Sequence, residues 1–205
     1  MPELSPSRTF VVGISSPSGG GKTTVAKRVS EILKDTVLIL FDDYDFDTVH
    51  PESFQQWLEK GADYNAWKTP RLKNDLSKLK AGEPIKSAID GTTFQPQPYL
   101  IFDAPLGYAH AETGALIDFM VFIDTPLDVA MARRLLRDLA LESPDNTNHA
   151  LDTVRSDLTA YLDYARGAYL EMDVQVKPGC DLILDGCRSV DDLAQEIAAA
   201  IKAKG

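Results

Sequence analysis

Cysteine, histidine and basic charge are all scarce in this chain, and each scarcity closes off a class of function. Cys180 and Cys187 are its only 2 cysteines and lie seven positions apart. That spacing fits neither a C-x-x-C redox pair nor a zinc ligand set, so reduced cytosolic thiols are expected. The 3 histidines, His50, His110 and His149, have no i, i+4 pairing and no nearby cysteine. A zinc site built by the protein therefore has no support, and they read as surface or fold residues. Lys plus Arg number 21 against 31 Asp plus Glu, a formal net charge of −10. Bulk nucleic acid and anionic membrane surfaces are bound through clustered Lys and Arg, so neither is expected as a partner. No apolar run approaches the ~18 residues of a spanning helix, and Met1 to Arg8 lacks the apolar core of an export signal. A cytoplasmic location follows as the expectation. Internal repeats and low-complexity tracts are absent as well.

What is present suits a globular domain. With 205 residues, 44% apolar and 25% charged, one domain can bury a sizeable core without staples. Five short apolar runs alternate with longer helical stretches: Phe10 to Ile14, Val37 to Phe41, Tyr99 to Phe102, Met120 to Ile123 and Leu182 to Leu184. Apart from Gly13 they are nearly continuous in apolar character, as strands covered on both faces must be. Helices are predicted over Thr24 to Leu33, Pro51 to Lys60, Leu72 to Ala81, Pro126 to Leu141, Ala150 to Met172 and Val190 to Ala203. Thr125 reads as an N-cap with Pro126 at the first helical position. Leu151, Val154, Leu158, Tyr161, Leu162, Ala165, Tyr169 and Met172 recur at helical steps and predict one apolar stripe. Gly82 to Pro98 reads as a long irregular connection, and Ser143 to Asn148 as a polar break between helices. The pattern is that of an α/β fold with a largely parallel sheet.

The strongest chemical signal follows the first run: Ile14-Ser-Ser-Pro-Ser-Gly-Gly-Gly-Lys-Thr-Thr24. A triphosphate needs many backbone N–H donors converging on one point, which a glycine-rich turn at a helix N-terminus supplies. Gly19, Gly20 and Gly21 permit that approach. Lys22 then reaches the β- and γ-phosphates, and the Thr23 hydroxyl can sit on Mg²⁺. The motif departs from its usual form at one place, where Ser16 stands for the first glycine.

Ligands of such sheets lie beyond the carboxyl ends of the strands, and aspartates follow the second, third and fourth runs directly. Asp103 has the form of a carboxylate that holds Mg²⁺ or its water shell, though a loop aspartate before Pro105 is the alternative. Asp42 and Asp43 are placed to accept the proton of an acceptor hydroxyl, unless Asp42 to Asp47 is simply a solvated acidic loop. Asp124 is assigned mainly to capping before Thr125 and Pro126. Arg133, Arg134 and Arg137 could clamp a phosphoryl group; Arg134 with Asp138 could equally form a surface i, i+4 pair.

Taken together these residues resemble the uridine kinase and nicotinamide riboside kinase group of small-molecule kinases, to which phosphoribulokinase and bacterial pantothenate kinase are related. The similarity runs from Val11 to about Ile201. Val12-Gly-Ile-Ser15 with Gly21-Lys-Thr-Thr-Val-Ala26 looks like the group's first strand and loop. Leu40-Phe-Asp-Asp-Tyr44 looks like its Q-D-D-F segment, whose first Asp is the catalytic base, pointing to Asp42. Phe122 to Asp128 and Arg133 to Asp138 look like the F-V-D-T and R-R-x-x-R-D stretches that begin the lid. Tyr169 to Met172 and Cys180 to Gly186 resemble the later helix and last strand. Three departures concern the acceptor. Ser87 to Phe94 is short and lacks the base-reading histidine, the ribose-binding acid falls on Asn65 with Asp63 as substitute, and the lid's G-R-D arginine is missing from Glu142 to Thr147.

The resemblance implies a three-layer α/β/α P-loop fold with a five-stranded mainly parallel sheet and a helical lid. A single domain over 1–205 is expected, with an acceptor-binding insertion at about 44–98 and the lid at about 133–155. The function implied is ATP- and Mg²⁺-dependent transfer of the γ-phosphoryl group to a hydroxyl of a small metabolite. Asp42, Lys22, Arg133 and Arg137 are the expected catalytic set. Ser18, Gly19, Gly20, Gly21, Lys22, Thr23, Thr24 and Arg134 would hold the nucleotide, and Asp43, Tyr44, Asp63, Asn65 and Trp67 the acceptor. Thr23, Asp42 and Asp103 would hold the metal. A nucleotide-binding regulator or slow ATPase is the competing reading, a kinase of a phosphorylated or macromolecular acceptor a third. A homo-oligomer stays open.

Overall fold

A computed structural model describes residues 8–87, 89–140 and 147–204. In chain order the elements begin with β1 (Phe10–Ser15), α1 (Lys22–Leu33) and β2 (Thr36–Leu40). Next come α2 (Phe54–Glu59), α3 (Pro70–Lys80) and a small hairpin, β3 (Ile85–Lys86) with β4 (Thr93–Phe94). Then follow β5 (Tyr99–Asp103), α4 (Ala111–Gly114), β6 (Phe119–Asp124) and α5 (Leu127–Ala140). The chain ends with α6 (Thr147–Ala160), α7 (Arg166–Glu171), β7 (Leu182–Asp185) and α8 (Val190–Lys204).

The five long strands form one parallel sheet in the order β2-β5-β1-β6-β7. Val12 of the central strand pairs with Ile101 on one side and Phe119 on the other. Successive residues face opposite layers. Val12 and Ile14 pack with Val25, Val29, Leu193 and Ile197 under α1 and α8, while Val11 packs with Phe102, Leu72 and Leu76 on the other face. Each fully buried apolar side chain of this kind contributes about 1.5–3 kcal/mol, so the two layers fix the sheet and with it the strand ends that carry the site.

The predicted strands are all present, each within a residue or so. The helix boundaries shift more. The predicted Thr125 cap is not formed: α5 begins at Leu127, and the buried Thr125 Oγ1 donates instead to the Gly20 carbonyl at 2.9 Å. The Asp124 carboxylate does not cap either, because it accepts from Lys177 Nζ at 2.6 Å. The long connection after Gly82 contains the β3–β4 hairpin. The predicted helix over Ala150 to Met172 is broken by π-helical turns at Tyr161–Ala165 and Met172–Val176. Its stripe divides accordingly: Met172 is buried, whereas Leu151 and Leu162 are 61% and 78% exposed. The break expected at Ser143 to Asn148 falls largely outside the described residues. Both cysteines are free, and no helix among the described residues is long and apolar enough to cross a membrane.

Candidate active site

The loop between β1 and α1 is shaped by its glycines. Gly19 and Gly21 have φ of 82° and 102°, and α1 starts immediately after, at Lys22. These left-handed angles are readily adopted only by glycine. Contact reinforces the requirement at two of the three. A Cβ on Gly19 would lie 2.1 Å from the Ala130 carbonyl of α5, and one on Gly20 would lie 1.7 Å from Ser16 Oγ. The Ser16 hydroxyl is buried and has no hydrogen-bond partner. Thr125 ties the loop to the end of β6, and Gly186 leaves room for it, since a Cβ there would meet Thr125 Oγ1 at 1.9 Å.

Behind the loop, Thr23 Oγ1 donates to Asp103 Oδ2 at 2.7 Å. Asp103 is 3% exposed. Burial raises its pKa above the ordinary carboxylate value, against the pull of the Lys22 ammonium and the Thr23 hydroxyl. Its other oxygen, Oδ1, is buried without a partner. A hydroxyl and a carboxylate with a spare oxygen are hard donors suited to Mg²⁺. Among the described residues no three acidic, His or Cys side chains gather as a metal cage, and Mg²⁺ bound with phosphates usually keeps several waters and needs none.

A cavity of about 750 Å³ opens over this loop. Ser18, Gly19, Gly20, Gly21, Lys22, Thr23 and Thr24 line it, together with Asp42, Arg133 and Arg137. One wall is Gly186, Arg188, Val190 and Leu193, from the turn after β7 and the start of α8. The other wall is aromatic and apolar: Phe41, Phe54, Trp57, Tyr64, Trp67, Leu106, Tyr169 and Met172. Asp42 sits in the 3₁₀ segment Phe41–Asp47 that follows β2. Arg133 donates to the Gly186 carbonyl at 3.0 Å, and Arg137 pairs with Asp138 at 2.8 Å.

Several expected residues lie elsewhere, each for a visible reason. Arg134 is outside the cavity lining, held by Asp157 at 3.0 Å and Asp138 at 3.6 Å. Asp43 is exposed and also outside the lining; burial and the neighbouring Asp42 charge raise its pKa. Tyr44 is buried with its hydroxyl donating to Asp75 at 3.2 Å, and Asp75 pairs with Arg71. The Asp63 carboxylate accepts from the Asn65 backbone and side-chain amides at 2.9 and 3.0 Å, and the Asp63 carbonyl accepts from the Trp57 indole at 2.8 Å. Asn65 Oδ1 accepts from the Ala111 N–H at 2.9 Å. Of the expected acceptor set only Trp67 lines the cavity. The neighbouring Phe54, Trp57 and Tyr64 were not singled out from the sequence, although four aromatics within residues 54–67 were a usable signal. The lid departure at Glu142 to Thr147 falls largely outside the described residues.

The family model described as Phosphoribulokinase / Uridine kinase family matches residues 11–179. A uridine kinase from Borrelia duttonii (strain Ly) is 28% identical over 185 residues, covering 85% of each chain. A uridine kinase from Staphylococcus epidermidis is 24% identical over 189 residues, covering 86% of this chain and 87% of its own. Among solved structures, shikimate kinase from Acinetobacter baumannii in complex with shikimate superposes with a TM-score of 0.50 at 15% identity, covering 98% of both chains. That last likeness concerns the fold.

Proposed function

The chain belongs to the phosphoribulokinase / uridine kinase family, and from that premise we propose that it transfers the γ-phosphoryl group of ATP to a hydroxyl of a small metabolite. One observation carries the reading. The phosphate loop, Thr23 with Asp103 buried behind it, and the Asp42 residue meet at one cavity of about 750 Å³.

Backbone amides of Gly19 to Lys22 and the Lys22 ammonium bind the phosphates and keep the γ-phosphorus fixed. Thr23 and Asp103 would hold Mg²⁺, which supplies charge neutralisation on the β- and γ-oxygens when bound. Asp42 orients the acceptor hydroxyl and takes its proton as the new O–P bond forms and the bond to the β-phosphate oxygen breaks, releasing ADP. Arg133 and Arg137 swing from the Gly186 carbonyl and Asp138 to neutralise the phosphoryl group in flight. The insertion at about 44–98 carries the acceptor wall and α5 the lid arginines.

Replacing Asp42 by Ala tests the assignment. Acceptor-dependent ADP release should fall by about 10²–10⁴-fold, while ATP binding measured by calorimetry stays within a factor of about two. Full turnover in the variant would remove Asp42 from the role.

A further inference from the structure

The half of the cavity beyond Asp42 is built from rings that hold one another. Trp57 meets Trp67 edge-on with centroids 4.8 Å apart at 85°, and meets Tyr64 at 5.5 Å and 85°. Phe54 stacks on Tyr164 at 5.3 Å and leans on Trp67 at 5.9 Å. Rings interlocked in this way make a preformed surface, which loses little freedom when a ligand arrives. A second device keeps the wall closed: Gly167 of α7 faces Leu58 of α2, where a Cβ would approach to 3.0 Å.

What this wall withholds is as telling as what it offers. The Trp57 indole N–H is already given to the Asp63 carbonyl, and the Tyr64 hydroxyl, buried and without a partner, is the one buried ring polar group of this wall left unpaired among the described residues. Asp63 and Asn65, the polar side chains nearest in sequence, are spent on local backbone and on α4. His50 lines the cavity but is paired with Asp45 at 2.8 Å. No Lys or Arg lines this wall among the described residues. A polyol placed here would give up water at several hydroxyls with only the Tyr64 hydroxyl to replace it. A carboxylate against this wall would be desolvated with no cation beside it, the basic side chains of the cavity being Lys22, Arg133, Arg137 and Arg188 elsewhere in its lining.

We infer that the acceptor is an uncharged alcohol with an apolar, planar ring as its body, laid against Phe54, Trp57 and Trp67 with its hydroxyl at Asp42. This rests on the kinase reading above and names its substrate class.

The chain has 2 tryptophans, and both belong to this wall, so tryptophan emission reports on it alone. With Mg²⁺ and a non-hydrolysable ATP analogue bound, 2-phenylethanol should change that emission saturably, and uridine and shikimate should not. With ATP, 2-phenylethanol should stimulate ADP release at least roughly tenfold more than either comparator. Trp67→Leu should raise its half-saturation about tenfold and leave that of ATP unchanged, and Trp67→Phe should recover most of the loss. Preferential turnover of uridine or shikimate would overturn the ring-alcohol class while leaving the kinase reading intact. A flat emission titration with 2-phenylethanol overturns it too, and so does saturable binding without phosphorylation. Failure of the ATP analogue to bind would instead sink the kinase reading itself.

Discussion

Asp103 is buried beside a hydroxyl and an ammonium, yet one of its oxygens has no partner. Burial holds its pKa above the unfolded value, and the sign of the consequence follows by linkage. Below the unfolded pKa the group is protonated in both states and costs nothing. As pH rises through the interval up to the raised native pKa, the unfolded chain ionises and the native one resists. Stability of the nucleotide-free protein is therefore lost across that interval and stays reduced above it. Asp103→Asn should remove this component: its melting temperature should fall less than that of wild type between about pH 4 and neutrality, while its phosphoryl transfer drops on the order of a hundredfold. Parallel melting curves of the two proteins check it, and identical pH profiles would mean the buried carboxyl carries no such cost. The sequence made this residue legible because an acid ending a buried run in a parallel sheet lands at the strand's carboxyl end. Asp63 and Asn65 misled for the converse reason. The Asp63 carboxylate satisfies its neighbouring backbone and the Asn65 side chain the distant Ala111 amide, uses that no spacing reveals.

At the scale of elements, the strands were readable since burial on both faces writes itself as unbroken apolar runs. The β3–β4 hairpin was not, with two residues per strand and no alternation to detect. The stripe after Ala150 failed because each π-turn widens the helix and shifts its phase, so residues in register before Tyr161 are out of register after it. In the phosphate loop, the motif predicted the turn, but only packing shows why it tolerates Ser16. The serine hydroxyl lies over Gly20, in the space that a side chain there would need. This element therefore supports a double-mutant cycle. Gly20→Ala should cut kcat/KM on the order of a hundredfold by displacing the loop. Ser16→Gly alone should be tolerated, and adding it to Gly20→Ala should restore at least about tenfold. The rescue stays partial because the Pro17 carbonyl still stands 2.9 Å from the added methyl. Strict additivity of the two changes would separate the residues and defeat the packing explanation.

The whole molecule carries a net charge of −10, and Asp42, Asp43, Asp45, Asp47 and Asp103 concentrate part of it near the proposed phosphate loop. Under the proposed function an anionic nucleotide would be repelled at long range and held only at contact, by the loop amides, Lys22, Arg133, Arg137 and the Mg²⁺ that Thr23 and Asp103 would hold. Salt separates these ranges. The Debye length shortens from about 30 Å at 0.01 M to about 10 Å at 0.1 M, which screens the global repulsion but leaves the buried contacts nearly untouched. The association rate of a fluorescent ATP analogue, followed by stopped flow at fixed Mg²⁺, should therefore stay level or rise about two- to threefold over that change. Its dissociation rate should barely move. A steep fall in association with salt would instead mean that Lys22, Arg133 and Arg137 project a positive field past the acidic surround, and that the local charges steer the nucleotide as well as grip it.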